Sequence, residues 1–325
     1  MSEARERLGA LALEAAVLAD PGTGQTAERL AWLMTAARHN DISTARLAEA
    51  HIDAVSILHE AHREPVAGSL YGVWASSSPN DPTMADGRLT GTKRFCSGLG
   101  VVDRALVTVH SGDEDLLVDV DVSTLTFDPS TWNSDALGDT ATGDAVFDQD
   151  IDATDTVDTA AWYLDRSGFW HGACGPAACW AGGAIGLVDA AVHLLDDDPH
   201  RSAHVGALVA AQWALTALLE QAGDEIDRDP LDRLDAELRA RSLRHFVERT
   251  CTDVADRFSR AFGPRPFVSN GAIAQRFADL HLYMRQHHAE RELGAIADIG
   301  RRVADLDAED SIRIERRRSS GRRDG

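Results

Sequence analysis

Lysine is almost missing from this chain: Lys93 is the only one among 325 residues. With 32 basic against 53 acidic side chains the formal charge is -21, which excludes the cationic footprint needed to hold a nucleic acid. Arginine supplies nearly all the positive charge and aspartate is abundant, a composition suited to strong salt or an arginine-rich proteome. Solubility alone accounts for such a charge. Cysteine is scarce as well. Cys96, Cys174, Cys179 and Cys251 show no C-x-x-C spacing, so neither a zinc site nor a disulfide framework follows, and a reducing cytoplasm is the expected compartment. The first fourteen residues carry Glu3, Arg5, Glu6, Arg7 and Glu14 among their apolar positions and lack the unbroken apolar core of a signal peptide. One charge-free stretch, Gly168 to Val188, is long enough to cross a bilayer. Its glycines, Pro176 and His171 point instead to a helix buried in protein, and no membrane partner is expected.

Several chemistries are missing too. No Walker sequence, no G-x-S-x-G elbow and no H-E-x-x-H occurs. Gly98-Leu99-Gly100 supplies two of the three glycines of a dinucleotide fingerprint and precedes no helical pattern. Asp148-Gln149-Asp150-Ile151-Asp152 opens like a calcium loop but lacks its glycine bend and closing glutamate. His287 and Glu290 stand three apart without a matching pair elsewhere, so no metal is expected.

What is present falls into four segments. Residues 1–66 read as a short helical region, with apolar runs from Leu8, Leu30 and Leu47 separated by Pro21-Gly22-Thr23-Gly24 and Asn40-Asp41, where Asp41 or Ser43 starts the third helix. Residues 67–157 change to an alternating period, in short runs at Leu70–Ala75, Arg88–Ser97, Ala105–His110, Leu116–Val122 and Ala145–Phe147, which predicts a small antiparallel sheet or barrel. Residues 158–306 return to the helical period, with long helices predicted over 203–222, 231–262 and 273–299. Residues 307–325, rich in arginine, read as a disordered tail. The fold class is therefore mostly α with a small middle β domain.

The stretch Gly87-Arg88-Leu89-Thr90-Gly91-Thr92-Lys93-Arg94-Phe95-Cys96-Ser97-Gly98 resembles the middle-domain signature of the acyl-CoA dehydrogenase family. Ser77-Ser78-Pro79 is similar to that family's Thr-Glu-Pro, Phe95-Cys96-Ser97-Gly98 to its Trp-Ile-Thr-Asn, and Gly263-Pro264 to the glycine turn before its last helices. The resemblance runs from about Leu30 to Gly300. It implies FAD as cofactor, with Ser97 bonding the flavin edge, Phe95 packing on the ring, Ser77 meeting the pyrimidine side and Arg201 reaching the pyrophosphate across a subunit interface. It further implies a homo-oligomer that dehydrogenates an acyl thioester and hands electrons to an electron-transfer flavoprotein. A monooxygenase or oxidase on the same fold, and a non-catalytic helical protein, are the alternatives. The family's glutamate base falls on His287, where no carboxylate stands. Asp165, before Arg166 and the glycines Gly172 and Gly175, takes the place that some members use for the base; a cap of the helix near Ser167 is the plainer alternative.

Overall fold

The computed structural model describes residues 3–123 and 125–320, with side chains through Asp305. Three helices come first: α1 Glu3–Ala15, α2 Thr26–His39 and α3 Ile42–Glu60. Asp41 caps α3, its carboxylate accepting from the Thr44 amide at 2.6 Å. The start of α2 is satisfied from a distance. Asp227 accepts from the Gly24 and Thr26 amides and from the Thr26 hydroxyl, so a residue some two hundred positions later closes this helix end.

Eight strands follow: β1 Tyr71–Trp74, β2 Thr83–Ala85, β3 Arg88–Cys96, β4 Arg104–Ser111, β5 Glu114–Asp121, β6 Thr126–Asp128, β7 Gly143–Asp150 and β8 Thr156–Thr159. They form one sheet in the order β6-β7-β3-β2-β4-β5-β8. β1 joins it parallel to β4, and β2 meets β4 at a single parallel register. The sheet is therefore mixed rather than purely antiparallel. The three strands without a sequence signal, β2, β6 and β8, have three or four residues, too few for alternation to declare itself.

Lys93 lies inside this sheet, 0% exposed. Its ammonium gives its three protons to Asp81 at 2.6 Å, the Thr108 carbonyl at 2.9 Å and the Thr108 hydroxyl at 2.8 Å. A buried charge survives only when paired and fully hydrogen-bonded, and this one is.

The rest is helical: α4 Ala160–Asp165, α5 Ser167–Gly172, α6 Cys174–His193, α7 Pro199–Arg228, α8 Arg233–Phe262, α9 Arg265–Ser269, α10 Gly271–Tyr283 and α11 Glu290–Ser320. α6 is the central post. Trp180, Cys179, Ala181 and Leu187 are fully buried on it, and at Gly182 a Cβ would lie 2.0 Å from the Met34 carbonyl oxygen, so only glycine lets α2 approach this closely. The helix predicted over 273–299 breaks instead at 284–289, where Ala289 adopts φ 42°. α11 carries helical backbone to Ser320, into the segment expected to be disordered. Arginine and glutamate there are good helix formers. Residues 321–325 of that segment lie outside the described residues.

Candidate active site

The β3–β7 ladder slips between Lys93 and Cys96, and Phe95 sits in the slip at φ 59°. A bulky residue in the left-handed region costs on the order of 1–3 kcal/mol. The backbone turns Phe95 outward, 56% exposed, while Cys96 stays buried. The Arg94 guanidinium lies 5.0 Å from the Phe95 ring centre, within cation–π range.

Ser97 ends a chain of hydroxyls whose direction can be deduced. Thr140 donates its only hydroxyl proton to the Leu137 carbonyl at 2.6 Å. Its contact with Thr142 at 2.7 Å must then be donated by Thr142, and the Ser97–Thr142 contact at 2.8 Å must be donated by Ser97. On its other side the Ser97 oxygen accepts from Arg46. Arg46 also lies over the Tyr283 ring at 5.6 Å.

Arg46 introduces a face of α3 that the sequence left unmarked. Glu49 and Asp53 stand one turn apart on it, turned toward α5 and α6. A Cβ at Gly172 would lie 2.3 Å from the nearer Asp53 oxygen, and one at Gly175 2.9 Å from a Glu49 oxygen. Two absent methyl groups therefore admit two carboxylates between helices. Among the described residues neither carboxylate has a hydrogen-bond or ion-pair partner. Burial first, and then the Asp53 charge, push the Glu49 carboxyl up to about 8; burial raises Asp53 as well. Across from them Tyr283 is 1% exposed and its hydroxyl lacks a hydrogen-bond partner. Burial, then nearby charge that includes Glu49, holds the phenol well above its usual range.

These groups meet. Arg46, Glu49, Asp53, Phe95, Ser97 and Tyr283 line one cavity of about 180 Å³ between α3, the β1 and β3 ends and the end of α10. A carboxyl that changes charge near neutral pH, with a like-charged neighbour and a fixed guanidinium, can give or take a proton at working pH.

Of the residues singled out in the sequence, Phe95 and Ser97 come together here. Ser77 is exposed on the loop after β1; its neighbour Ser76 contacts the Arg94 carbonyl at 3.4 Å, which sets the loop beside the same edge of β3. Asp165 is elsewhere. It is the last residue of α4, its side chain is 82% exposed, and it pairs with Arg233 at 2.9 Å. The backbone is extended at Arg166, between α4 and α5, and Asp165 does not line the cavity. Nor does Asp165 cap α5, whose N-cap residue is Arg166 without a side-chain capping bond. Arg201, in the first turn of α7, is engaged by Asp196 and Asp198, which leaves little positive charge for a pyrophosphate. His287 is buried with both ring nitrogens unpartnered and does not line the cavity.

A flavin can be tested against these residues. The cavity is smaller than the roughly 300–1,000 Å³ typical of small-molecule pockets, so it can take a substrate but not the ring system. The exposed face of Phe95, beside Arg94 and Ser97, suits a flat aromatic group laid across the mouth. Ser97 can donate to such a group only by withdrawing its proton from Thr142.

No family model matches the sequence, and no curated protein is similar to it. Solved structures are. KijD3, in complex with FMN and dTDP-3-amino-2,3,6-trideoxy-4-keto-3-methyl-D-glucose, superposes with a TM-score of 0.73 at 17% identity over 90% of this chain and 84% of that one. Dibenzothiophene monooxygenase (TdsC) from Paenibacillus sp. A11-2 gives 0.68 at 15% over 91% and 87%. Methanesulfinate monooxygenase MsuC from Pseudomonas fluorescens gives 0.67 at 15% over 92% and 96%. The chain has the acyl-CoA dehydrogenase fold. At these identities the likeness is one of fold. Within the acyl-CoA dehydrogenase fold, this chain sets two half-buried carboxylates on the third helix of the N-terminal region, facing the glycines of α5 and α6.

Proposed function

We propose that the chain is a flavin-dependent oxidoreductase of the monooxygenase or oxidase kind, taking FMN rather than FAD and acting on a small polar substrate. The observation that carries this reading is the unpartnered pair Glu49 and Asp53 in one cavity with Phe95 and Ser97. Neighbours of the same fold that are monooxygenases or hold FMN favour it over acyl thioester dehydrogenation. So does the cavity. About 180 Å³ lined by two carboxylates and Arg46 suits a compact polar molecule and disfavours an apolar acyl chain.

Flavin, when bound, supplies the redox centre. Phe95 would pack against its ring, and Ser97 would offer it a hydrogen bond. Glu49 holds a proton at neutral pH and can surrender it to a group in the cavity, because Asp53 and burial keep the carboxyl in its neutral form. Arg46 holds a fixed positive charge that orients a carbonyl or anionic group, and the free Tyr283 hydroxyl is a second donor. The test is anaerobic. Flavin-loaded protein mixed with short and long acyl-CoA thioesters should keep its visible band, whereas protein reduced chemically should reoxidise in air with a pH dependence that Glu49→Gln removes. Bleaching of the band by a thioester would return the dehydrogenase reading.

A further inference from the structure

Gly175 and Gly172 face Glu49 and Asp53, and Gly168 faces a third carboxylate, Glu60. A Cβ at Gly168 would lie 2.0 Å from the nearer Glu60 oxygen. Glu49, Asp53 and Glu60 stand at i, i+4 and i+11 on α3, which sets all three within about 40° of one face and spreads them over about 16 Å of helix. The three glycines run the other way along α5 and the start of α6, so each carboxylate has a side chain missing opposite it. The row leads outward. Glu49 and Asp53 line the cavity, whereas Glu60 is exposed and accepts from Arg166 at 2.8 Å.

Behind the first two carboxylates lies a smaller space of about 20 Å³, bordered by Thr26, Arg29, Glu49, Asp53 and His171. A water needs roughly 10–15 Å³ and two to four polar partners, and both are met here. His171 is one of those partners. It is 5% exposed, and its Nε2 faces the Pro230 carbonyl at 2.9 Å; that oxygen can only accept, so Nε2 carries the proton and Nδ1 is a bare acceptor. Among the described residues that Nδ1 has no partner, a costly state for a buried acceptor that a water donating from this space relieves. The outer gap is short as well. Cβ positions four apart on a helix lie about 5–6 Å from each other, so the Asp53 and Glu60 oxygens that abut those of Gly172 and Gly168 stand about one helical turn apart, a span for a bridging water. Burial raises the Asp53 carboxyl, Arg166 and Arg29 oppose it, and Glu60 raises it further; Asp53 therefore senses the outer end of the row.

We infer that Glu49, Asp53 and Glu60, with water between them, form a path that carries protons between solvent and the cavity. The inference rests on the reading of Glu49 as the group that gives up a proton there. Once Glu49 has done so it is a carboxylate; it takes a proton from Asp53, which receives one from Glu60, which draws its own from solvent. Each carboxyl ends as it began, and one proton has entered for each one spent. A flat group laid across the mouth of the cavity closes the direct way to solvent, and a path through the rear then has a use. Asp53 and Glu60 act through Glu49, and His171 positions the water.

Glu60→Gln tests the path, because glutamine still accepts from Arg166 but cannot pass a proton on. In flavin-loaded protein reduced chemically and reoxidised in air, the proton-dependent rate should fall about tenfold or more in dilute buffer. Added imidazole, a small proton carrier, should restore that rate and leave the wild type unchanged. Flavin-free protein gives a second readout. On mixing with heavy water, the infrared band of the Glu49 carboxyl, identified by its loss in Glu49→Gln, should shift about tenfold or more slowly in Glu60→Gln than in the wild type. Glu64→Gln, at an exposed carboxylate beyond the end of α3, should alter neither rate. A Glu60→Gln protein that matches the wild type in either experiment, a slowing that imidazole does not relieve, or equal slowing in Glu64→Gln would overturn the path and leave Glu49 as the proton donor. A Glu49→Gln protein that keeps the pH dependence of reoxidation would instead sink the reading of the site, and the path with it.

Discussion

Replacing Glu49 by glutamine should make the protein more stable at alkaline pH and less active. The carboxyl rises from its ordinary value of 4.5 to about 8 in the folded chain. At about 1.4 kcal/mol per pH unit this amounts to about 4–5 kcal/mol. Glu49 keeps some contact with solvent through the cavity, so about 2–4 kcal/mol is the working range. Below pH 4.5 folded and unfolded chains both carry the proton, and the group costs nothing. Between 4.5 and about 8 the unfolded chain ionises while the folded one does not, so stability falls as pH rises. Above about 8 the whole penalty is present. Glutamine has no charge to desolvate and breaks no hydrogen bond, since Glu49 makes none. Thermal unfolding of the two proteins across this range should give nearly equal midpoints at pH 4 and a gap of several degrees in favour of Glu49→Gln at pH 9. Midpoints that stay parallel from pH 4 to 9, or a variant less stable at pH 9, would refute the reasoning. Stability gained against activity lost in Glu49→Gln would be the signature of a functional site.

Three further outcomes follow from the same geometry. Asp53→Asn removes the second contribution to the Glu49 shift, so the pH range over which wild-type stability falls should end at a lower pH, which the same unfolding series measures. Phe95→Gly should relieve the left-handed strain and stabilise the fold by about 1 kcal/mol, while flavin titration shows weaker binding; equal binding would mean that Phe95 is not a stacking surface. Lys93 should resist an amine-selective reagent in the native protein and react on unfolding, as peptide mass mapping would show, and Lys93→Met should cost about 3–5 kcal/mol by stranding the Asp81 carboxylate.

Part of this site was legible in the sequence. The glycines around Thr90–Ser97 marked a strand that must bend, and Phe95 and Ser97 do meet at the cavity. Glu49 and Asp53 were not legible. They sit on a helix whose apolar positions already explain its pattern, and what makes them unusual is tertiary: Gly172 and Gly175, more than a hundred residues later, take away the side chains that would have displaced them. The one available signal was the shared spacing, carboxylates at i and i+4 on one helix against glycines at i, i+4 and i+7 (Gly168, Gly172, Gly175) on another stretch. Asp165 lies away from the cavity for a different reason. Its distance in sequence from Gly172 suited one continuous helix, but the chain turns extended at Arg166, between α4 and α5. Around Arg201 the acidic neighbours, plain in the sequence as Asp196-Asp197-Asp198, close in space.

The most direct measurement is a paired titration of the purified chain with FMN and with FAD, followed by visible absorbance and flavin fluorescence. The account predicts saturable binding of FMN, FAD bound no more tightly, and loss of affinity in Ser97→Ala by roughly the 0.5–1.5 kcal/mol of one hydrogen bond. Failure of both flavins to bind would contradict it and leave the fold serving something other than redox chemistry.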